Sequence, residues 1–328
     1  MPLPKETVGV LVMAYGTPDG PDDILPYYTD IRRGRAPSSE LLKELQDRYQ
    51  AIGLYGRLTR ITQAQAAGIE RILNVGEAGA TGPRYKAYVG MKHWKPSIAD
   101  AVAVMAGDGV RRAVAVVMAP QGGRMSIGSY YEILDKALAD MPEPIRVARV
   151  QNWHQEPDFL AALAERVKDA LKLFPEASLG TLDVVFTAHS LPERILTWND
   201  PYPTHLREIG EAVARQTGLK KVHFAYQSAG RTQDPWLGPE IRERLRELQA
   251  GGAQSVLVCP VGFVADHLEV LYDLDIELRR LADELGIHLE RTQSLNDHPL
   301  LLSALASVVR RQAEGGERKR SAFMDVYA

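Results

Sequence analysis

The 328-residue chain is poor in cysteine, with Cys259 alone. One thiol excludes an intrachain disulfide and an iron–sulfur cluster held by four cysteines of one chain. Long hydrophobic runs are also missing. Val8–Ala14 and Ser255–Val264, among the longest, are strand-length, far short of the ~20 residues that span a bilayer. Met1–Gly9 has no apolar stretch of the signal-peptide kind. The expectation is therefore a soluble, cytoplasmic protein with no transmembrane segment. Neither charge sign dominates. Lys plus Arg is 39 and Asp plus Glu is 42, a net −3, so no basic face gathers nucleic acid. The first apolar run is followed by Tyr15-Gly16-Thr17-Pro18 rather than GxGxxG, and no GxxxxGK(S/T) loop occurs. No GxSxG elbow is present, and His267-Leu268-Glu269 lacks the HExxH spacing.

What the chain does have is a regular alternation of short β-rich runs and longer helical patterns. Strands are expected at Val8–Ala14, Tyr85–Gly90, Ala113–Ala119 and Ile145–Val150, then at Leu182–Thr187, Lys221–Tyr226, Ser255–Val261 and Ile287–Arg291. Apolar periodicity near 3.6 residues predicts helices between them, over Glu40–Ala51, Thr62–Leu73, Ser97–Ala106, Ile127–Ala139, Glu156–Leu173, His205–Thr217, Glu240–Ala250, His267–Leu285 and Pro299–Gln312. Ser97 and Asp100 form a capping-box pattern, and Thr62 and Asp266 are N-cap candidates. Glu314–Arg320 reads as a charged tail that frays. Strands separated by helices form parallel sheets covered on both faces.

The alternation breaks at Pro175–Thr181 and restarts. Val8–Pro18 (VGVLVMAYGTP) is echoed by Asp183–Pro192 (DVVFTAHSLP), and Ala115–Pro120 (AVVMAP) by Ser255–Pro260 (SVLVCP). The fold expected is α/β, with two similar Rossmann-like halves, residues 1–175 and 176–328. Ligands of such sheets sit beyond the strand carboxyl ends, so two facing halves leave a cleft there.

His189 falls where a buried strand ends, which puts an imidazole at the cleft edge. A histidine that merely satisfies local backbone groups would look the same. Glu269, Asp273 and Glu277 follow at helical spacing and line one helix face. Such a row repels itself, which a cation path would justify, although a solvated acidic face shows the same pattern. Tyr15 occupies in the first half the place His189 takes in the second. Arg32, Arg33, Arg35 and Arg48 are guanidiniums suited to carboxylates or phosphates, or to a solvent-facing basic loop. Tyr27, Tyr28, Tyr49 and Tyr55 offer flat surface nearby or ordinary core filling.

The motifs MAYGTP (Met13–Pro18), YYTDIRRGR (Tyr27–Arg35), DRYQAIG (Asp47–Gly53), AHSLP (Ala188–Pro192), DPWLGP (Asp234–Pro239) and PVGFVADHLEVLYD (Pro260–Asp273) resemble the ferrochelatases, in matching order over nearly the whole chain. The resemblance is strongest to the bacterial enzymes that act on coproporphyrin III. It implies insertion of Fe2+ into a porphyrin in haem biosynthesis. It also implies two chelatase-type halves around a porphyrin cleft, and a C-terminal helix, about 298–315, packing back on the first half. By the same resemblance His189 and Glu269 are the catalytic pair at the pyrrole nitrogens and reach the metal, with Tyr15 across the ring, also close to the metal. Arg32, Arg33, Arg48 and Tyr130 lie near propionates or the cleft wall. Asp273 and Glu277 form an outer divalent-metal site, and His93 is a surface metal position.

Fe2+ is then a substrate, with no tightly bound cofactor and no Fe–S cluster. A monomer is implied, together with transient contacts to other haem-pathway enzymes. Two stretches depart from the family pattern. Gly53–Leu58 lacks the usual Ser-Pro, and Gln121 stands where histidine is frequent. The alternatives are a protoporphyrin IX ferrochelatase, a cobalt chelatase of related fold, and a porphyrin or haem carrier that does no chemistry. In the enzyme reading, neutral His189 takes a pyrrole proton and Glu269 passes it outward.

Overall fold

The computed structural model describes residues 6–75, 82–230 and 232–324, with side chains of the last helix to residue 315. Eight strands form two four-stranded, all-parallel sheets. β1 (Thr7–Ala14), β2 (Arg84–Met91), β3 (Arg112–Val117) and β4 (Arg146–Arg149) stand in the order β2-β1-β3-β4. β5 (Asp183–His189), β6 (Val222–Gln227), β7 (Ser255–Cys259) and β8 (His288–Arg291) repeat that order as β6-β5-β7-β8. The two sequence echoes map onto this arrangement, since β1 matches β5 and β3 matches β7. β1 is buried along nearly its whole length, as a central strand with helices on both faces must be.

The helices are α1 (Ile24–Ile31), α2 (Ser39–Ile52), α3 (Arg57–Asn74), α4 (Ile98–Gly107), α5 (Ser129–Ala139), α6 (Pro157–Leu171), α7 (Tyr202–Thr217), α8 (Ile241–Ala250), α9 (Leu268–Leu271), α10 (Arg279–Glu284) and α11 (Pro299–Met324). One apolar core runs through both halves. It joins Val10, Val12 and Val116 of the first sheet to Val184, Phe186 and Leu257 of the second, through Phe159, Leu163 and Val167 of α6. α11 packs on α3, α6, β3 and β4. Its approach to α3 is close because residue 68 is glycine: a Cβ there would meet Leu302 Cδ1 at 2.4 Å. The backbone of α11 stays helical to Met324, where the charged composition predicts a frayed tail from Glu314. No helix among the described residues is long and apolar enough to cross a membrane.

Several local expectations need correction. The capping box of Ser97 and Asp100 is present, with both reciprocal bonds. Thr62, however, lies inside α3 and gives its hydroxyl to Leu58 O (2.9 Å). The helix starts five residues earlier, after Gly56, whose left-handed φ of 62° turns the chain. Asp266 is not a cap; His267 holds the N-cap position and Asp266 makes an ion pair instead. The long helix predicted from His267 is broken by a π-helical turn, Asp273–Leu278. A second π turn, Arg124–Gly128, precedes α5. Such turns are frequent at functional sites.

Candidate functional site

Several contacts join the two halves, many of them from the segments that follow the strand carboxyl ends. Arg48 reaches Asp273 (3.3 Å) and Arg57 reaches Asp266 (2.6 Å). Gln121 donates to Gly262 O (3.3 Å), Gly122 N to His205 Nδ1 (3.1 Å) and Arg124 N to Asp200 (2.7 Å).

His189 is the last residue of β5. Its Nδ1 lies against Ser190 O. A carbonyl only accepts, so Nδ1 carries the hydrogen and Nε2 is the basic nitrogen. Nε2 is 3.4 Å from Glu269 Oε1, with the two side chains 29% and 37% exposed. Glu269 is the second residue of α9, which follows the turn ending at His267. Its other oxygen is 3.5 Å from His267 Nε2, and His267 Nδ1 donates to Ala265 O (3.0 Å). One carboxylate thus sits between two imidazoles. Burial works against its charge, yet His189 and then His267 hold Glu269 well below the usual carboxylate range. Burial likewise pulls His189 down, but the Glu269 carboxylate outweighs it and raises the imidazole to about 8. The resting pair at neutral pH is therefore mostly imidazolium and carboxylate.

Glycine makes room for His189. A Cβ on Gly262 would lie 2.5 Å from Ala188 Cβ and 2.9 Å from its Cα. Gly262→Ala should therefore displace the backbone beside His189 and cut turnover at least about tenfold through misplacement. Steady-state kinetics alongside porphyrin affinity checks this, with affinity moving much less than turnover.

Phenols surround the carboxylate. Tyr15 and Tyr130 from the first half and Tyr202 from the second are all raised by burial, and the Glu269 charge adds to the shift. Tyr15 and Tyr130 therefore lie within electrostatic reach of Glu269. Tyr202 gives its hydroxyl to His189 O (2.8 Å). Tyr15 packs edge-on against His93, with centroids 4.6 Å apart. His93 Nδ1 donates to Asp30 (2.8 Å), which leaves its Nε2 lone pair free for a metal. Its side chain is only 14% exposed, so it is not on the open surface. Burial holds it below its ordinary pKa.

The basic residues divide. Arg48 pairs with Glu44 (3.2 Å) and Asp273, lies 4.0 Å from Glu277, and covers the Tyr272 ring at 4.9 Å. It is turned onto the acidic row rather than standing free for a carboxylate ligand. Ser228 Oγ also binds Asp273, and burial with the nearby Glu269 charge raises Asp273 to about 6. No group of three or more His, Cys, Asp or Glu side chains with metal-holding geometry occurs among the described residues. Arg32 and Arg33 are exposed and enter no ion pair among the described residues. Arg33 is held in the left-handed region at φ 57°, the kind of local strain found at binding sites.

The sequence is similar to known proteins over nearly its full length. The family model described as Ferrochelatase matches residues 7–313. The chain belongs to the ferrochelatase family. A ferrochelatase from Thermus thermophilus is 48% identical over 88% of this chain and 94% of its own. The coproporphyrin III ferrochelatases of Geobacillus kaustophilus and Bacillus subtilis are 43% and 42% identical, covering 96% and 94% of this chain and 99% and 98% of theirs. The sirohydrochlorin chelatase SirB from Bacillus subtilis shares the fold (TM-score 0.58, 15% identity, 95% of this chain and 97% of that one). The protein is thus a metal-inserting lyase of haem biosynthesis.

Some ferrochelatase-site features escape the sequence. His267, the second imidazole on Glu269, is marked there only as a helix start. Lys92 holds its ammonium 5.6 Å from the Tyr15 ring centroid and 5.1 Å from that of Tyr130. Trp236 stands 6.4 Å from His189 and seats its ring where a Cβ on Gly230 would collide at 2.5 Å. The DPWLGP motif contains the signal for Trp236; nothing in the sequence singles out Lys92.

Proposed function

We propose that the chain inserts Fe2+ into coproporphyrin III, releasing two protons per coprohaem formed. The observation that carries the choice of substrate is Lys92, which holds its half-buried ammonium 5.6 Å from the Tyr15 ring with the Arg33 charge nearby. Lys92 is lowered first by burial and then by the neighbouring Arg33 charge, which Glu132 and Asp30 offset only in part. Among the described residues, Arg32, Arg33 and Lys92 enter no ion pair. A partly desolvated ammonium with a second cation beside it calls for an anionic ligand. Coproporphyrin III carries four propionates and protoporphyrin IX two. The relatives named as coproporphyrin III ferrochelatases add support.

The chemistry follows from the two walls. His189 Nε2 takes a pyrrole proton once the pair has lost its own. Glu269 and His267 receive it and pass it toward Asp273, whose raised pKa of about 6 suits a relay. The metal enters from the opposite face, past Tyr15 and the neutral His93. There the lone pair of His93 offers a nitrogen donor to the incoming dication. The ring is held between Tyr15 and Tyr130 on one wall and His189 and Trp236 on the other, where binding energy bends it toward the metallated geometry.

Steady-state insertion of Fe2+ under anaerobic conditions into each porphyrin tests the substrate. A higher kcat/KM on coproporphyrin III is expected, and preference for protoporphyrin IX would refute the assignment. Replacing both Arg33 and Lys92 by glutamine should raise KM for coproporphyrin III by about tenfold while kcat changes less than about twofold, because propionate binding is uniform through the reaction. Added salt should raise the wild-type KM in the same sense.

A further inference from the structure

The stretch that departs from the family pattern, Gly53–Leu58, carries an interaction that metal insertion as derived so far does not use. Arg57 begins α3 in the first half, and its Nη2 meets Asp266 Oδ2 at 2.6 Å, a closer approach between the halves than the 3.3 Å of Arg48 to Asp273. Asp266 is buried, with a side chain 10% exposed. Its carboxylate also accepts from Asn296 Nδ2 (3.1 Å), and its backbone N–H donates to Asn296 Oδ1 (2.9 Å). Asn296 is held in turn by Gln65 of α3, through Nε2 to Asn296 O (2.6 Å). The loop ahead of α9 is therefore tied twice to the same helix of the other half.

Both ends of this connection lead to the site. Asp266 directly precedes His267, the N-cap of the helix that carries Glu269. Gly56, just before Arg57, donates to Pro18 O (2.8 Å) in the turn that follows Tyr15. A side chain at residue 56 would crowd Asp19 Oδ1 at 3.0 Å, so that turn and the start of α3 lie in close contact. The covalent and hydrogen-bonded path runs from Tyr15 through Pro18, Gly56, Arg57 and Asp266 to His267 and Glu269.

We infer that Arg57 is a positioning residue: its pair with Asp266 is a strut between the halves that fixes Glu269 and His267 relative to Tyr15. The inference rests on the ferrochelatase reading, since it concerns the spacing of the two walls that grip the ring. A buried carboxylate that loses its cation is left uncompensated, and the loop relaxes to hydrate it. The consequence falls on the geometry of proton transfer more than on porphyrin affinity, because the propionate-binding cations lie elsewhere.

The test is kcat per porphyrin-binding site, with the sites counted by fluorescence titration of coproporphyrin III. Wild type, Arg57→Met, Arg57→Lys, Asp266→Asn and the double variant Arg57→Met/Asp266→Asn are compared, using Fe2+ and, separately, Zn2+. Arg57→Met should lower kcat per site at least about tenfold, with KM for the porphyrin within about twofold. Arg57→Lys should recover a large part of the loss. Because the pair acts as a unit, the double variant should lose no more than the worse single one. If the methionine variant does not fold, Arg57→Lys and Asp266→Asn decide: kcat per site should be reduced in both. Wild-type kcat per site in every folded variant, or losses that multiply in the double variant, would overturn the strut. A wild-type protein that inserts no metal would sink the ferrochelatase reading itself, which is a separate result from any variant-to-wild-type ratio.

Discussion

His189→Ala should reduce metal insertion by about a hundred- to ten-thousandfold, the range that a positioned general base contributes. The loss should appear in kcat, with the porphyrin dissociation constant nearly unchanged, because Tyr15, Tyr130, Arg33 and Lys92 remain in place. Geometry sets this expectation. Ser190 O fixes the Nδ1–H tautomer, so Nε2 is the nitrogen presented at the strand end, 3.4 Å from Glu269. Of the neighbouring imidazoles, His267 sits on the other Glu269 oxygen with its Nδ1 on Ala265 O, and it sets the residual rate. His93 packs against Tyr15 of the first half. Single-turnover measurement of metalloporphyrin formation separates this loss of chemistry from slow product release. Full turnover in the alanine variant would mean that protons leave by another group.

Glu269→Gln should have the second largest effect, about a hundredfold in kcat, and it should also move the pH dependence. His189 is active as a base when deprotonated. Its pKa is raised to about 8 chiefly because Glu269 outweighs burial, so wild-type kcat/KM should climb with pH through about 8. Glutamine removes the charge that raises it, while the burial that lowers it persists. The rising limb of the profile should therefore move to lower pH, even as the maximum rate falls for want of a proton acceptor. A profile that keeps its midpoint in the glutamine variant would show that the limb reports some other group. The coupled pair titrates as a unit, so the profile gives apparent values for His189 and Glu269 together.

Much of the fold is legible in the sequence because central parallel strands leave an unmistakable trace. β1, β3, β5 and β7 are short runs of buried residues ended by prolines and turns, and their pairwise echo reveals the doubled architecture. Helix interiors are legible for the same reason, and helix starts are less so. α3 begins at Arg57 because Gly56 adopts a left-handed turn against Pro18, a tertiary fact that the local periodicity from Thr62 does not contain. The π turns at Arg124–Gly128 and Asp273–Leu278 are invisible because one inserted residue barely disturbs an apolar pattern. α1 escapes as well: Ile24–Ile31 contains Pro26, which reads as a breaker but is tolerated near a helix start.

In the site, His189 and Glu269 stand out through AHSLP and PVGFVADHLEVLYD, motifs on strand ends where chemistry gathers. Arg48 is legible as functional in type but not in partner. Its contacts, Asp273 and Glu277, lie more than two hundred residues away in sequence. The same separation hides the Arg57–Asp266 pair, since charges on opposite halves carry no shared local signature. The role of His267 is hidden by its neighbour, because a histidine two residues before a glutamate gives no hint that the two side chains meet.

The most direct test is anaerobic incubation of purified protein with excess Fe2+ and coproporphyrin III, following the loss of free-base absorbance in wild type and His189→Ala. Many coprohaems per wild-type chain are predicted, with two protons released for each, and near-complete loss in the variant with porphyrin still bound. One equivalent of porphyrin bound by wild type, with no metal inserted, would contradict the enzyme reading and leave a carrier in its place.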